Sequence, residues 1–335
     1  MLAKPNISIV VCTYNRVEML ANALNTLLDL ETDSLFTYEI VVVDNASTDA
    51  TAATVHSLVS STRWPLRYVL ETKQGIVPAR NRGVHEATGE WIAFFDDDQL
   101  ADVRWLVELW KLAHEKAADC VGGPVALHLP EGSSRELQPT VRMLLGESAW
   151  SEVPAPYDEK RCPGAGNMLI RKDSVLKIGA FDPAVGARGE DTDLFLRLLG
   201  TGGTGWYAPA ALVYHVMTPQ RLENAYILRL ANWMGGSVAE KEFGSRTWAE
   251  FSLRWFAKEG RRWLLQLPQL ALGWLCQLPE TLLEFRCRAA ISRTYSRRGW
   301  ELLFPSQTKT QPTAAATRLP QLAVDHHSAP TTSAS

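Results

Sequence analysis

The first hundred residues alternate short apolar runs with segments in which apolar residues recur at helical spacing. Short continuous runs of β-branched and aromatic residues are typical of strands buried on both faces of a parallel sheet. These runs predict strands at Ile7–Cys12, Tyr38–Val43, Leu66–Leu70 and Trp91–Phe95. Helical spacing predicts helices at Val17–Leu30, at a segment capped by Ser47 or Thr48 that reaches Val59, and at Pro78–Ala87. The alternation predicts an α/β fold built on an open, doubly wound sheet with flanking helices.

The middle of the chain continues this alternation less regularly. It predicts a helix at Trp105–Ala118 and a strand at Cys120–Leu127. Glu131–Tyr157 is rich in Pro, Ser and Glu, so we expect it to lie on the surface. Gly200–Gly205 is rich in glycine like a phosphate-binding loop, but it lacks the G-x-G-x-x-G spacing and does not join a strand to a helix. We therefore predict a turn there.

The C-terminal part has a different composition, rich in Trp, Leu and Arg from Gln220 to Trp300. Trp263–Pro279 contains no charged residue, but it is interrupted by prolines and glycine and is too short for a clean membrane span. Arginines follow it without any acid between Phe285 and Trp300. Tryptophan beside a basic cluster favours a helix lying on an anionic membrane surface, so we expect peripheral membrane contact through 263–300. The alternative is a buried helix with a solvated basic end.

Composition excludes some classes of protein and places the chain in a compartment. The 335 residues are 46% hydrophobic and 21% charged, which is ordinary for a globular protein, and the net charge of −3 gives no reason to expect nucleic acid as a partner. The five cysteines are scattered and odd in number, which argues against a disulfide framework or a zinc site and favours a reducing compartment. The apolar run near Met1 is too short for a signal peptide, so we expect a cytoplasmic protein.

Polar residues follow three of the predicted strands at the point where each strand ends. Thr13 and Asn15 follow the first strand, Asp44 follows the second, and Asp96–Asp98 follow the fourth. The carboxyl ends of strands in an open α/β sheet meet at one crevice, where ligands bind. Three adjacent carboxylates would repel one another without a cation, and Mg²⁺ or Mn²⁺ takes carboxylate oxygens while leaving positions for phosphates. The alternative is a set of turn-forming residues and a solvated acidic turn.

These segments together resemble a family 2 glycosyltransferase of GT-A fold, with a Rossmann-like, mostly parallel sheet. The resemblance covers about residues 7–220, and the motifs are specific in their combination, order and spacing. It implies a catalytic domain at 1–220. The change in composition predicts a helical, Trp- and Arg-rich extension at 221–304, and a Thr-, Ala-, Pro- and Ser-rich composition predicts a disordered tail at 305–335. The residues that carry it are Val10–Arg16, Val41–Asp49, Ala79–Gly83, Asp96–Asp98 and Gly189–Leu194.

The resemblance implies a role for each matching residue in binding a nucleotide-sugar. Asp44 matches the carboxylate that binds uracil, with Arg80 beside it, and Asp96 matches the acid on the ribose side of the D-x-D motif. Asp98 matches the metal ligand, and His215 stands where relatives have a histidine that can reach the metal or the diphosphate. The expected cofactor is Mn²⁺ or Mg²⁺. The full set expected to bind the nucleotide is Thr13, Tyr14, Asn15, Arg16, Asp44, Arg80, Asp96 and Asp97.

The acceptor side of the site is expected at Glu190 and Asp191. Asp191 matches the family's general base and Glu190 is its neighbour, and a carboxylate suits the task of taking a proton from an attacking hydroxyl. Both residues open a predicted helix, so the alternative is that they simply favour the helix N-terminus. A histidine such as His215, taken alone, is more often structural than a metal ligand, and only the surrounding motifs make the two roles equally compatible.

The expected function is transfer of one sugar from a nucleotide-sugar, with UDP as the expected carrier, to a hydroxyl of a glycan or lipid-linked glycan. The resemblance implies inversion at the anomeric carbon and a place in polysaccharide or cell-surface glycan biosynthesis. Two alternatives stay open: a sugar nucleotidyltransferase and a non-catalytic nucleotide-sugar-binding partner protein. A processive synthase is disfavoured because Arg254-Trp255 and Arg262-Trp263 lack the glutamine of the Gln-x-x-Arg-Trp motif.

Overall fold

The structure is a computed structural model that describes residues 5–59, 62–185, 189–261, 264 and 279–305. The predicted disordered tail from 306 onward lies outside the described residues, as does most of the apolar stretch between 262 and 278.

Eleven strands are described, and eight of them form one sheet in the order β3-β2-β1-β4-β9-β6-β10-β8. The first four pair in parallel, β9 runs antiparallel to both of its neighbours, and β10 is parallel to β6. The predicted mostly parallel α/β sheet is therefore confirmed. The strands are β1 (Ile7–Thr13), β2 (Tyr38–Asp44), β3 (Leu66–Leu70), β4 (Trp91–Asp96), β5 (Gln99–Ala101), β6 (Cys120–Gly122), β7 (Val125–His128), β8 (Ala155–Pro156), β9 (Asn167–Arg171), β10 (Gly205–Tyr207) and β11 (Val213–Val216).

The helices flank this sheet and fill the C-terminal region. The predicted helical extension is present as a 3-10 turn at Pro219–Leu222 followed by three long helices. The helices are α1 (Val17–Leu28), α2 (Thr51–Val59), α3 (Ile76–Glu86), α4 (Trp105–Glu115), α5 (Pro139–Leu144), α6 (Lys172–Lys177), α7 (Glu190–Gly200), α8 (Asn224–Gly244), α9 (Trp248–Arg261) and α10 (Pro279–Leu303).

The single strand predicted at Cys120–Leu127 is wrong. The chain forms β6 in the large sheet and then β7 in a small second sheet, of order β5-β11-β7. Gly123 and Pro124 separate the two strands, and a Cβ at Gly123 would overlap the carbonyl of Ala211. Proline has no amide hydrogen for a strand ladder, so the apolar run breaks there.

Glu131–Tyr157 is also less superficial than predicted. It contains α5, and Val141 and Tyr157 are buried. Gly200–Gly205 forms the predicted turn, between α7 and β10.

Alternate residues of the central strands pack on opposite faces of the large sheet. Ile9 and Val11 join one apolar core with α1 and α4, and Val10 joins the other core with α3 and α7. The buried runs in the sequence therefore correspond to strands covered on both sides.

The described chain forms two compact units. The larger contains residues 1–231 and 269–288, and the smaller contains 232–268 and 289–335, each within the described ranges. In the smaller unit, Phe251, Trp255, Tyr295 and Leu303 form an apolar core. The predicted domain boundaries at 220 and 304 stay a prediction. Within the described residues, no helix combines the length and apolar character needed to cross a bilayer.

Glu39 on β2 joins β1, β3 and the loop after α3 at the amino end of the large sheet. Its buried carboxylate accepts hydrogen bonds from Ser8 Oγ (2.6 Å), Thr88 N (2.8 Å) and Thr88 Oγ1 (2.6 Å), and Arg67 Nε lies 2.9 Å from it. Burial acts to raise the pKa of Glu39, but these partners outweigh burial and hold the pKa below its ordinary value.

We expect Glu39→Gln to lower the free energy of unfolding at pH 7 by about 2 kcal/mol, because bonds to a charged acceptor are weakened. A carboxyl with a lowered folded-state pKa stabilises the fold above its unfolded-state pKa, and that stability is lost as the pH falls through the folded-state value. The difference between wild type and E39Q should therefore shrink between about pH 5 and pH 3, measured by urea unfolding.

Glu90→Gln is the matched control because Glu90 is an exposed acid paired with Arg171. It should change stability by less than about 0.5 kcal/mol. An equal loss in both variants, or a difference that stays constant down to pH 3, would contradict this role of Glu39.

Candidate active site

The polar strand ends lie side by side, as the sequence predicted for a parallel sheet. Thr13 at the end of β1 is in register with Asp44 of β2, and Cys12 is in register with Asp96 of β4. The carboxyl ends of these strands therefore form one edge at which Asp44 and the acidic triplet are brought together.

The loop after β1 is bonded to the loop after β2. The backbone N–H of Asn15 donates to Ser47 Oγ (2.9 Å), and Asn15 Oδ1 accepts from the N–H of Thr48 (2.7 Å). Asn15 has a φ of 53°, a left-handed conformation that asparagine tolerates better than most residues. Tyr14 is half-buried in the same loop. The two loops predicted to hold the nucleotide base thus form one bonded surface.

Asp44 is buried and held at both oxygens. Oδ1 accepts from the N–H of Ser47 (2.8 Å), and Oδ2 accepts from the hydroxyl of Tyr68 (2.7 Å). Burial, together with the bond to Asp44, raises the pKa of Tyr68 to about 12, so that hydroxyl stays a donor. The orientation of the Asp44 carboxylate is therefore fixed before any ligand binds.

The three acids of the triplet have different surroundings. The buried Asp97 accepts from Thr13 Oγ1 (2.7 Å) and Arg16 (2.9 Å), and burial raises its pKa to about 6. Asp97 thus anchors the loop after β1. The side chain of Asp96 is 41% exposed, and its nearest cation is Arg80 at 3.5 Å. Of the three, Asp96 presents the most exposed carboxylate to the edge of the sheet.

Asp98 is buried among cationic and imidazole groups. Its Oδ2 lies 2.7 Å from Arg221, 3.2 Å from Arg16 and 3.4 Å from Nε2 of His215. Burial acts to raise the pKa of Asp98, but the positive charges of Arg221 and Arg16 outweigh it and hold the pKa below its ordinary range. Asp98 is therefore a carboxylate at any physiological pH.

His215 presents an unprotonated nitrogen to Asp98. Its Nδ1 lies 2.9 Å from the carbonyl oxygen of Leu145, a pairing that requires Nδ1 to donate. Its Nε2 lies 2.6 Å from the guanidinium of Arg221 and so accepts. A Cβ at Gly146, whose φ is 98°, would already approach this ring to 3.1 Å. In the tautomer that these contacts assign, the Nε2 lone pair faces the guanidinium of Arg221, beside Asp98.

The donor atoms at this point suit a divalent ion that also binds phosphate. A carboxylate oxygen and an imidazole nitrogen 3.4 Å apart are ligands that Mn²⁺ accepts. Within the described part of the chain, no group of three or more His, Cys, Asp or Glu residues could hold a metal ion. An ion held by Asp98 and His215 would have to take its remaining ligands from substrate and water, as Mg²⁺ does with nucleotide phosphates.

Arg80 joins the acidic triplet to α7. Its buried guanidinium lies 2.5 Å from Glu190 Oε1 and 3.5 Å from Asp96. Burial raises the pKa of Glu190 despite this pairing, and its Oε2 is buried without a hydrogen-bond partner in the described chain. Glu190 is thus committed to Arg80, whereas Arg80 was expected beside the base of the nucleotide.

Asp191 is the accessible member of the acidic pair on α7. It is half-buried, its Oδ1 accepts from the N–H of Thr192 (2.7 Å), and its Oδ2 accepts from the N–H of Ala165 (3.3 Å). Gly189, at a φ of 89°, precedes the helix. A carboxylate held by two backbone amides at a helix N-terminus has a fixed orientation, which a general base requires.

Three residues of this edge were not identified from the sequence. Arg221 lies far along the chain from Asp98, and no local pattern marks it. Gln99 is buried beside Gly166. A Cβ added at Gly166 would overlap both the Gln99 amide and the Asp96 carboxylate. Asn167 accepts from Trp105 Nε1 (2.8 Å) and donates to the carbonyls of Pro124 and Ala211. The glycines at 164 and 166 were the one available signal, since small residues allow close backbone approach.

Comparisons with known proteins identify the family of the chain. Residues 8–178, about half of the chain, match the family model described as Glycosyl transferase family 2. Succinoglycan biosynthesis protein ExoM of Rhizobium meliloti (strain 1021) is 30% identical over 248 residues, which are 72% of this chain and 78% of that relative. Succinoglycan biosynthesis protein ExoO of the same organism is 37% identical over 237 residues, which are 63% of this chain and 61% of that relative.

A solved structure shares the fold. The mannosyltransferase PcManGT from Pyrobaculum calidifontis, in complex with GDP-Man and Mn²⁺, matches with a TM-score of 0.55 and 20% sequence identity. The match covers 90% of this chain and 86% of that chain. At this level of identity the likeness shows the fold, which confirms the predicted GT-A architecture. The resemblance expected from the motifs is confirmed as well: the chain is a member of glycosyl transferase family 2.

Proposed function

We propose that the protein transfers one sugar from a nucleoside diphosphate sugar to a hydroxyl of a glycan or lipid-linked glycan, with inversion at the anomeric carbon. The observation that carries the proposal is the buried contact of Arg80 with both Glu190 and Asp96. It supports a single pocket in which a donor-binding acidic triplet and the acceptor-side Asp191 face the same reacting atoms.

On the donor side, Asp44 and the Thr13–Arg16 loop would bind the base of the nucleotide, and Asp96 would bind its ribose. Asp98 and His215 would hold a divalent ion, which would neutralise the charge of the departing diphosphate. The solved relative with GDP-Man and Mn²⁺ supports the use of such an ion. It also keeps guanosine nucleotides beside UDP as candidate carriers.

On the acceptor side, Asp191 would take the proton of the attacking hydroxyl. A base positioned opposite the leaving group supports attack from the opposite face and hence inversion. The pairing of Glu190 with Arg80 leaves Asp191 as the carboxylate available for this task. The names of the two succinoglycan biosynthesis relatives support a polysaccharide as the product class.

The smaller unit supports peripheral contact with a membrane, at the cytoplasmic face, where a lipid-linked acceptor would be found. Phe256 on α9 and Trp300 and Phe304 near the end of α10 are exposed, and we call these three residues the aromatic patch. The buried Trp255 contacts two rings of the patch: its ring centroid lies 5.0 Å from that of Phe256 and 5.9 Å from that of Trp300. Arg254, Arg293 and Arg297 are exposed on the same two helices. Aromatic rings beside arginines are suited to an anionic bilayer surface.

The first prediction concerns the donor site. Wild-type protein should bind UDP or GDP in calorimetric titrations with Mn²⁺ and much more weakly without it. Asp98→Asn should weaken the metal-dependent binding by about a hundredfold, because a bond to a charged group contributes up to about 3 kcal/mol. Asp173→Asn, which alters an exposed acid on α6, is the matched control and should bind as wild type does.

The result of this titration also separates the alternative functions. If neither UDP nor GDP bound in the titration, the proposal would be contradicted. Binding followed by transfer of a nucleotidyl group onto a sugar phosphate would favour a sugar nucleotidyltransferase, and binding with no turnover of any donor would favour a non-catalytic partner.

The second prediction concerns the base. Asp191→Asn should lower kcat by about 10²- to 10⁴-fold while nucleotide affinity changes less than about twofold, since only proton transfer is lost. Asp193→Asn is the control because Asp193 lies in the same helical turn and pairs with Arg197 (2.7 Å). Full activity of D191N would exclude Asp191 as the base, and retention of the donor's anomeric configuration, read by NMR, would exclude inversion.

The third prediction concerns the aromatic patch. Flotation with phosphatidylglycerol vesicles should recover the wild-type chain at low salt, and recovery should fall at least about tenfold for the double variant Phe256→Ser, Trp300→Ser. Leu176→Ser, at an exposed leucine of α6, is the control. Equal flotation of all three proteins would exclude the patch, and equal recovery on neutral phosphatidylcholine would exclude the role of the arginines.

A further inference from the structure

Arg221 lies on the 3-10 turn between β11 and α8, and its side chain is mostly buried. One amino group of its guanidinium lies 2.7 Å from Asp98 Oδ2, and the other lies 2.6 Å from His215 Nε2. These are the two donor atoms that fit a divalent ion. A planar guanidinium with two parallel donors matches this pair of acceptors closely.

A guanidinium and a divalent cation cannot share these two atoms. The neutral imidazole has a single lone pair at Nε2, and His215 directs it at Arg221, so an ion bound to that nitrogen must displace the guanidinium. Two positive groups competing for one buried carboxylate also repel each other strongly where water is scarce. Arg16 does not compete in the same way, because Asp97 gives it a second partner at 2.9 Å.

The displaced guanidinium would stay close to the site because its backbone is anchored. The N–H of Arg221 donates to Thr218 O (3.0 Å), and the guanidinium of Arg135 binds the carbonyl of the next residue, Leu222. Arg135 also contacts Asn224 (2.6 Å) and Glu280 (2.8 Å). The anchored turn restricts the change to rotations about the side-chain bonds of Arg221.

We propose that Arg221 is an exchangeable cation: it neutralises Asp98 in the free enzyme and transfers to the diphosphate of the donor when the divalent ion takes its place. The inference rests on the proposed function and extends it by assigning a positioning residue that no motif marks. A phosphate presents the planar pair of oxygens that an arginine released from a carboxylate can bind in the same bidentate way. No covalent step is involved, and the charge of the site is balanced in both states.

The proposal predicts opposite changes in two affinities of one variant. Without nucleotide, Arg221→Met should bind Mn²⁺ about tenfold more tightly than wild type, because the competing cation is gone. With saturating Mn²⁺, the same variant should bind UDP or GDP about tenfold more weakly, because a charged contact to phosphate is lost. Affinity for uridine or guanosine should change less than about twofold, since neither carries phosphate.

The experiment uses the full chain, with free Mn²⁺ followed by electron paramagnetic resonance and nucleotides followed by calorimetry. Arg171→Met is the matched control because it removes one charge at the opposite end of β4, where Arg171 is in register with Trp91. Arg221→Gln, which keeps polar donors without charge, replaces R221M if the methionine variant unfolds, and the same two changes are expected of it.

If Arg221 had only a structural role, its substitution would weaken the affinities for both Mn²⁺ and the nucleotide, or change neither. Each of those results overturns the inference. Tighter Mn²⁺ binding with unchanged diphosphate affinity also overturns it, since transfer to the donor would then be absent, and so does weaker diphosphate binding with unchanged Mn²⁺ affinity. A wild-type protein that binds neither UDP nor GDP with Mn²⁺ overturns the proposed function together with this inference. Wild-type binding with unchanged R221M affinities overturns the inference alone.

Discussion

The buried guanidinium of Arg80 holds together two parts of the chain that meet only through the fold. Glu190 lies at the start of α7 and Asp96 at the end of β4, and both carboxylates are oriented toward this one cation. Without it, the buried carboxylate of Glu190 would have no cation beside it and would face the negative charge of Asp96. The position of Asp191, directly after Glu190, depends on this contact, so the spacing between Asp191 and the acidic triplet depends on it too.

The same principle of charge balance extends along the whole edge of the sheet. Arg16 faces Asp97 and Asp98, Arg80 faces Asp96 and Glu190, and Arg221 faces Asp98. Each arginine neutralises carboxylates that would otherwise repel one another and any anionic ligand. Under the proposed function, these cations would help the site to accept a dianionic diphosphate, since preorganised charge stabilises a charged leaving group.

The sequence was informative where one element carried the whole signal. The buried strands and the polar residues at their ends follow from local pattern, because a strand covered on both faces must be apolar until it ends. The break of β6 from β7 was missed because Gly123 and Pro124 interrupt an apolar run that otherwise resembles one strand. Arg221 and Asn167 were missed for a different reason. Their partners lie on other elements, and no spacing along the chain records a contact made across the fold.

The small number of protein ligands offered to a metal ion by Asp98 and His215 would make the binding of metal and donor mutually dependent. Asp98 and His215 offer two donor atoms, and a hard divalent ion needs about six, so the remainder must come from water and phosphate. An ion held this weakly by the protein alone gains affinity when a diphosphate supplies further oxygens, and by thermodynamic linkage the diphosphate gains equally from the ion. Arg221 increases this mutual dependence, because its contacts with Asp98 and His215 must be replaced before the ion can bind. Under the proposed function, metal and donor would therefore bind as one unit, and Arg221 would return to Asp98 once the diphosphate has left.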